Sequence, residues 1–461
     1  MSLIVSISGV RGIVGESLTP DVAVLYSKAF AEYCLQKTPQ GKKCKIVIGR
    51  DGRITGKILT NIISSTLLSM GCDVVAIGVC PTPTVALAVE KSDAVGGIAV
   101  TASHNPMQWN GMKFFNQEGL FLDADEMKDF LEVLNSGKIS YAFWNKIGTH
   151  VSDPSWIQKH INTVLQLDHI DIEKIKSRKF KVVLDCINSA GGVIVPPLLK
   201  ALGCEVVEMN CEVSGVFAHT PEPIPENLTA LAEKVLVEKA DLGIAVDPDV
   251  DRLVLITEKG EPLGEEYTIA SVVNFVLSNE QRAKSAGQKV VVNLSTTRAV
   301  DDIAKKYGAT VTRTPVGEIN VAKKMKEIGA VIGGEGSGGV IYPEAHYGRD
   351  AIVGIGLVLQ MLAEFSGSLT EYKSTLPQYH ITKSKIEIGS LNPDELLGRV
   401  VKKYKNEKIN TDDGVKIDFA NSWVHLRKSN TEPIIRIIAE AKNKDEAEKL
   451  VDKLRTDNFV I

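Results

Sequence analysis

Two textures of apolar and polar positions succeed one another along this chain. The first begins with KIVIGRDGR, continues as an amphipathic stretch from Lys57 to Met70, and closes on a second apolar run, GCDVVAIG. A β-rich segment, a helical period and another β-rich segment predict a βαβ unit. The phrase returns as KVVLDCINSAGG, PPLLKALG and CEVVEMN, and again as KVVVNLSTTRAVDDIAKKYG leading into ATVTRTPVGE. Each predicted helix ends at a glycine, which takes a left-handed cap without a Cβ clash. Three related mixed-sheet α/β domains are expected, their ligand loops following the carboxyl ends of the strands.

From about Pro377 the texture changes to VKIDF, a turn at Asn421 and Ser422, WVHLR, IIRIIAEA and a charged closing helix. That series predicts a smaller C-terminal α+β domain. The boundaries are drawn at 1–150, 151–256, 257–370 and 371–461, with a hinge within 368–378. The longest apolar stretch, Ala351 to Phe365, is interrupted by Gly354, Gly356, Gln360 and Glu364. It falls short of the roughly 20 residues that span a bilayer and reads as a core helix.

Length and charge narrow the picture. A chain of 461 residues exceeds a single core and suits about three to four domains. The net charge of -4 leaves no footprint for nucleic acid or an anionic membrane, so an anionic ligand must be held by local cations. Seven cysteines without a C-x-x-C pair point to buried reduced thiols rather than disulfides or zinc. The start, MSLIVSISGVRG, lacks a basic region and a cleavage site. A cytoplasmic protein is expected, monomeric or homodimeric.

Candidate chemistry gathers in four loops. TASHNP follows the apolar strand GGIAV and sets Ser103 at a strand's carboxyl end, flanked by His104; taken alone it is equally a polar turn. DPDVDR lies between the apolar runs LGIAV and LVLIT and presents Asp247, Asp249 and Asp251 at alternate positions. Such close carboxylates repel one another unless a cation sits between them, and hard oxygen donors favour magnesium or calcium. An EF-hand is rejected, because Arg252 stands where its glycine is required and LVLIT continues as a strand. GGEGSGG follows the apolar AVI; its glycines would let backbone approach a ligand while Glu335 and Ser337 accept from sugar hydroxyls. RKSNTEP joins two strands of the last domain and groups Arg427, Ser429, Asn430 and Thr431, a set matching a phosphate dianion; the competing reading is a surface hairpin loop. Further cations stand in loops or beside them: Arg11 in SGVRG, Arg50 and Arg53 in GRDGR, Lys113 in NGMKFF, and Arg252 beside the aspartates.

TASHNP, DPDVDR, GEGSGG and RKSNTEP, in this order and about one per domain, resemble the active-site loops of the α-D-phosphohexomutase family, with SGVRG similar to its N-terminal signature. The resemblance spans essentially the whole chain. It implies four domains around a central cleft, Ser103 as a phosphoserine, and Asp247, Asp249 and Asp251 binding Mg2+ together with that serine. It places Lys113, Arg11 and His104 near the transferred phosphoryl. It further implies sugar contacts from Glu335, Ser337 and Glu318 in TPVGE, a substrate contact from Arg252, and a second phosphate site at Arg427, Ser429, Asn430 and Thr431. Many bacterial members end the sugar loop in histidine; here Gly339 stands there, with His346 as a candidate replacement. The expected reaction interconverts hexose 6-phosphate and hexose 1-phosphate, with a hexose 1,6-bisphosphate as intermediate and activator. Glucosamine phosphate is favoured over mannose or glucose phosphates. A serine phosphomonoesterase and a sugar-phosphate-binding regulator are the rival readings.

Overall fold

The computed structural model describes residues 3–282, 287–387, 392–428 and 434–459. The chain forms two compact bodies, Met1–Thr268 with Gly338–Lys373, and Ile269–Ser337 with Ser374–Ile461.

The first body holds two sheets. In the larger, seven strands run in the spatial order Ile4–Ser6, Gly9–Ile13, Trp109–Asn116, Gly96–Val100, Lys45–Arg50, Asp73–Val79, His150–Ser152. Lys45–Arg50 is parallel to both its neighbours, whereas Gly96–Val100 meets Trp109–Asn116 antiparallel with Ala99 opposite Lys113. The expected first unit is present as Lys45–Arg50, helix Gly56–Ser69 and Asp73–Val79. Its core packs Phe30, Phe114 and Phe130 together, with the Phe30 and Phe114 rings 4.8 Å apart. Burying such a side chain contributes about 1.5–3 kcal/mol, which fixes the sheet against its helices.

The second sheet orders Leu253–Thr257, Leu242–Val246, Lys181–Asp185 and Glu205–Met209, antiparallel at the first pairing and parallel at the other two. Helix Ala351–Phe365 lies in this body and buries nearly its whole length, as its apolar sequence predicts.

In the second body, Thr310–Thr314, Lys289–Asn293 and Ile332–Glu335 form neighbouring parallel strands. The last sheet is antiparallel throughout, in the order His380–Glu387, Ile434–Ala441, Trp423–Lys428, Val415–Asp418, Lys408–Asn410. This is the α/β architecture expected, with its antiparallel C-terminal domain.

The glycines that end the predicted helices, Gly71, Gly203 and Gly308, all have positive φ. GGEGSGG differs from its reading as a loop, because the strand runs on through Gly333 and Gly334 to Glu335. A Cβ at Gly333 would stand 2.3 Å from Met325 Sδ and 2.5 Å from Val291 O. Helix-to-sheet packing requires that glycine. The stretch expected as a hinge carries a short helix, Leu369–Ser374. All seven cysteines are free thiols.

Candidate active site

Ser103 stands three residues past Gly96–Val100, in a left-handed conformation with φ 47°. A side chain bearing Cβ adopts this backbone at a cost of about 1–3 kcal/mol unless its surroundings impose it. Here they do. The Thr101 hydroxyl accepts from Ser103 N at 2.9 Å and donates to Asp51 Oδ2 at 2.7 Å. Asp51 in turn accepts from Arg53 Nε at 3.0 Å. The fully buried Arg53 spends its remaining donors on four carbonyls of the serine loop: Ser103 at 2.5 Å, Asn105 at 2.7 Å, Pro106 at 2.8 Å and Trp109 at 3.0 Å.

The Ser103 hydroxyl donates to Asp247 Oδ2 at 3.0 Å. Asp247, Asp249 and Asp251 are completely buried and each offers an oxygen within 4.8 Å of the others. Asp247 Oδ1 accepts the backbone N–H groups of Asp251 and Arg252 at 3.1 and 3.2 Å. Asp249 Oδ2 accepts from Thr82 Oγ1 at 2.5 Å and from Lys113 Nζ at 2.7 Å. Asp251 Oδ2 accepts from Arg349 Nη2 at 2.6 Å and lies 3.6 Å from Lys113 Nζ. Between Asp249 and Asp251, Val250 is left-handed at φ 61°, a costly backbone for a β-branched residue.

Burial and the two neighbouring carboxylates push Asp247 well above the usual carboxylate range. Burial opposes ionisation of Asp249 and Asp251 as well, but Lys113 holds the first below that range and Arg349 the second. Burial also opposes the Lys113 charge, and Asp249 with Asp251 overcomes it, so this ammonium stays protonated. His104 Nδ1 is 3.4 Å from Ser103 Oγ, and burial with nearby Arg252 lowers its pKa to about 3. It is a neutral imidazole at pH 7.

Two buried carboxylate oxygens, Asp249 Oδ1 and Asp251 Oδ1, have no hydrogen-bond partner among the described residues. Leaving such oxygens unpaired in a protein interior is costly. A hard divalent cation would satisfy both, so the donor set fits magnesium.

Of the other residues singled out from sequence, Arg11 donates to Asn105 Oδ1 at 3.2 Å within the same body, and Arg252 Nε lies 3.8 Å from Asp251 Oδ1. In the second body the motifs GEGSGG and TPVGE meet. Glu335 Oε1 accepts from Asn293 Nδ2 at 2.8 Å and from Gly317 N at 3.0 Å, beside Glu318 at the start of helix Glu318–Ile328. Ser337 follows two residues after Glu335. Arg427 Nε lies 2.9 Å from Asp413 Oδ2, which also accepts from Val316 N at 2.9 Å. Ser429, Asn430 and Thr431 lie outside the described residues.

Three participants escaped the sequence reading. Thr82 and Arg349 reach the aspartates across 167 and 98 residues, and no local motif marks either. Arg53 was noted only as a cation, whereas it braces the serine loop. His346, the candidate replacement for a loop histidine, is buried and bonded to Asp350. The space at Gly339 is taken by Arg349, whose Cδ would lie 2.3 Å from a Cβ there.

A buried hydroxyl beside a carboxylate triplet with open oxygens and a clamped ammonium, set on α/β sheets, suits metal-assisted phosphoryl transfer. The chain belongs to the phosphoglucomutase/phosphomannomutase family, matching its α/β/α domain I at residues 3–138, domain II at 158–260, domain III at 265–379 and the C-terminal domain at 392–456. It is a mutase, and therefore an isomerase. It is 37% identical over 447 residues to a phosphoglucomutase/phosphomannomutase of Thermococcus kodakarensis, covering 96% of each chain. It is 34% identical over 452 residues to a phosphoglucosamine/phosphogalactosamine mutase of Sulfurisphaera tokodaii, covering 97% of each. Among solved structures, a phosphoglucomutase/phosphomannomutase family protein of Burkholderia thailandensis superposes with a TM-score of 0.84 at 26% identity, over 98% of this chain and 97% of that one. No helix among the described residues is long and apolar enough to cross a membrane.

Proposed function

We propose that the protein interconverts hexose 6-phosphate and hexose 1-phosphate through phosphorylated Ser103 and a hexose 1,6-bisphosphate, with glucosamine phosphate the preferred substrate. The observation that carries this reading is the Ser103 hydroxyl 3.0 Å from Asp247, in a buried carboxylate triplet with two oxygens open. Asp247, Asp249 and Asp251, together with Ser103, would hold Mg2+. When bound, magnesium supplies positive charge against the phosphoryl oxygens.

Phosphoryl transfer has a loose transition state with charge spread over three equatorial oxygens, so catalysis is mostly positioning and electrostatics. Lys113 is held protonated by two aspartates and serves as a cation rather than a base. As the phosphoryl leaves Ser103 Oγ, the P–O bond to serine breaks and one to the sugar oxygen forms, while the proton of the sugar hydroxyl ends on Ser103 Oγ. The second half-reaction reverses these bonds at the other end of the sugar, returning the phosphoryl to Ser103. Neutral His104, beside Ser103 Oγ, is placed to exchange a proton there. Arg11 and Arg252 add positive charge near this centre. Glu318, Glu335 and Ser337 contact sugar hydroxyls, and Arg427 with Ser429, Asn430 and Thr431 anchors the phosphate that is not reacting.

The glucosamine preference is supported by the name of the Sulfurisphaera tokodaii relative and by the absence of the loop histidine at Gly339. The name of the Thermococcus kodakarensis relative favours the second reading, mannose or glucose phosphates. A coupled assay with glucosamine, mannose and glucose phosphates, each with its matching bisphosphate, distinguishes the two by kcat/KM. In the same assay Ser103→Ala is expected to fold normally and lose turnover by at least about 10⁴-fold, as for nucleophiles in general. Near-normal mutase activity in that variant would refute the phosphoserine scheme, and release of free phosphate instead of the isomer would favour a phosphomonoesterase.

A further inference from the structure

Besides the aspartate triplet, the first body contains a second buried cluster, His160, His346 and Asp350. His160 Nε2 lies 2.7 Å and His346 Nε2 2.9 Å from Asp350 Oδ2. Three such groups resemble a metal site, but the hydrogen bonding argues otherwise. Gly348 N donates to His346 Nδ1 at 2.9 Å, so the proton of that ring sits on Nε2 and points at the carboxylate. His160 carries a proton on Nε2 because the Asp350 carboxylate there only accepts, and its Nδ1 lies 2.9 Å from Thr84 Oγ1. Both imidazoles donate Nε2–H to Asp350, and their Nδ1 atoms are taken by Gly348 N–H and the Thr84 hydroxyl, so neither ring turns a free nitrogen towards a metal.

Asp350 begins helix Ala351–Phe365, its Oδ1 accepting from Ile352 N at 2.8 Å. The residues on either side of it both reach the aspartate loop. Arg349 donates to Asp251 Oδ2 at 2.6 Å, and Ala351 N donates to Val250 O at 3.2 Å. Val250 is the left-handed, β-branched residue between two of the carboxylates. On the other side, Thr84 shares its helix with Thr82, which donates to Asp249 Oδ2 at 2.5 Å.

We propose that His160, His346 and Asp350 are positioning residues for the divalent-cation site. By fixing Asp350 from two sides they set the start of helix Ala351–Phe365, and through Ala351 N–H and Arg349 they keep the Val250 turn in the backbone that aims Asp249 Oδ1 and Asp251 Oδ1 at a cation. This inference rests on the proposed magnesium role of the three aspartates. Outer partners that orient metal ligands typically change affinity by about 10–100-fold when removed.

The test is titration calorimetry of metal-free protein with MgCl2, beside thermal melting of each variant. His160→Leu keeps an apolar filling but removes the N–H, and is expected to weaken magnesium binding by at least about 10-fold while still melting cooperatively. His160→Gln, which restores a donor near the Nε2 position, is expected to bind within about 3-fold of wild type. Equal affinity in His160→Leu and wild type would overturn the proposal, as would equal weakening in the Leu and Gln variants. Should His160→Leu not fold, Asp350→Asn gives the same readout, since the amide keeps the size and one acceptor oxygen, and unchanged magnesium affinity there would also overturn it. Wild-type protein that takes up no magnesium would remove the metal reading itself, and this inference with it.

Discussion

A serine hydroxyl at pH 7 is a poor phosphoryl acceptor, so its surroundings decide what it can do. Around Ser103 they supply a left-handed backbone, a carboxylate partner, a charged lysine and a neutral imidazole, each traceable to a named contact or dihedral. The same logic makes His425 a stability determinant in the second body. It is fully buried, its Nδ1 accepting from Ser295 Oγ at 2.8 Å and its Nε2 donating to Asp413 O at 2.6 Å. Burial lowers its pKa from 6.5 to about 4. The unfolded chain therefore binds a proton below pH 6.5 that the folded chain refuses until about pH 4. Stability is full above pH 6.5 and falls as pH drops through that window, by roughly 1 kcal/mol per pH unit. Denaturant titrations between pH 4 and 7 should show this slope flattened in His425→Gln; parallel curves would contradict it.

At the scale of elements, the serine loop is held by a partner whose importance lies in geometry. Arg53 joins four carbonyls of that loop and the buried Asp51. Arg53→Met should leave the Asp51 carboxylate buried without its counter-ion and destabilise the fold by about 3–5 kcal/mol. Urea unfolding reads this directly; a loss under about 1 kcal/mol would mean that the loop holds itself. Much at this level was legible in the sequence. The βαβ phrases, the glycine caps and helix Ala351–Phe365 follow from periodicity and glycine chemistry, which are local properties. The strand continuing through Gly333 and Gly334 was not legible, because glycines that admit a ligand and glycines that admit a packed methionine look alike in sequence. Nor were Thr82 and Arg349, for a hydrogen bond between residues far apart in the chain leaves no spacing to read. The aspartates and Ser103 stood out because several chemical residues sit together in one short loop.

For the whole molecule, the aspartate triplet implies that folding and cation binding are linked. Ligand at 100 times its dissociation constant stabilises the folded state by about 2.7 kcal/mol. Magnesium should therefore raise the melting temperature of the protein, chelation should reverse the rise, and Asp249→Asn should abolish most of it. Identical melting of wild type with and without the ion would count against the triplet as its site.

The space at Gly339 carries a lesson about history. Arg349 fills it so closely that a side chain at 339 would overlap the guanidinium stem. Neither position can change freely on its own: an imidazole introduced at 339 displaces the arginine and costs Asp251 the shortest of its ion pairs, and shrinking residue 349 first does the same. The two sites are coupled, and engineering that places a histidine at 339 must exchange both in one move.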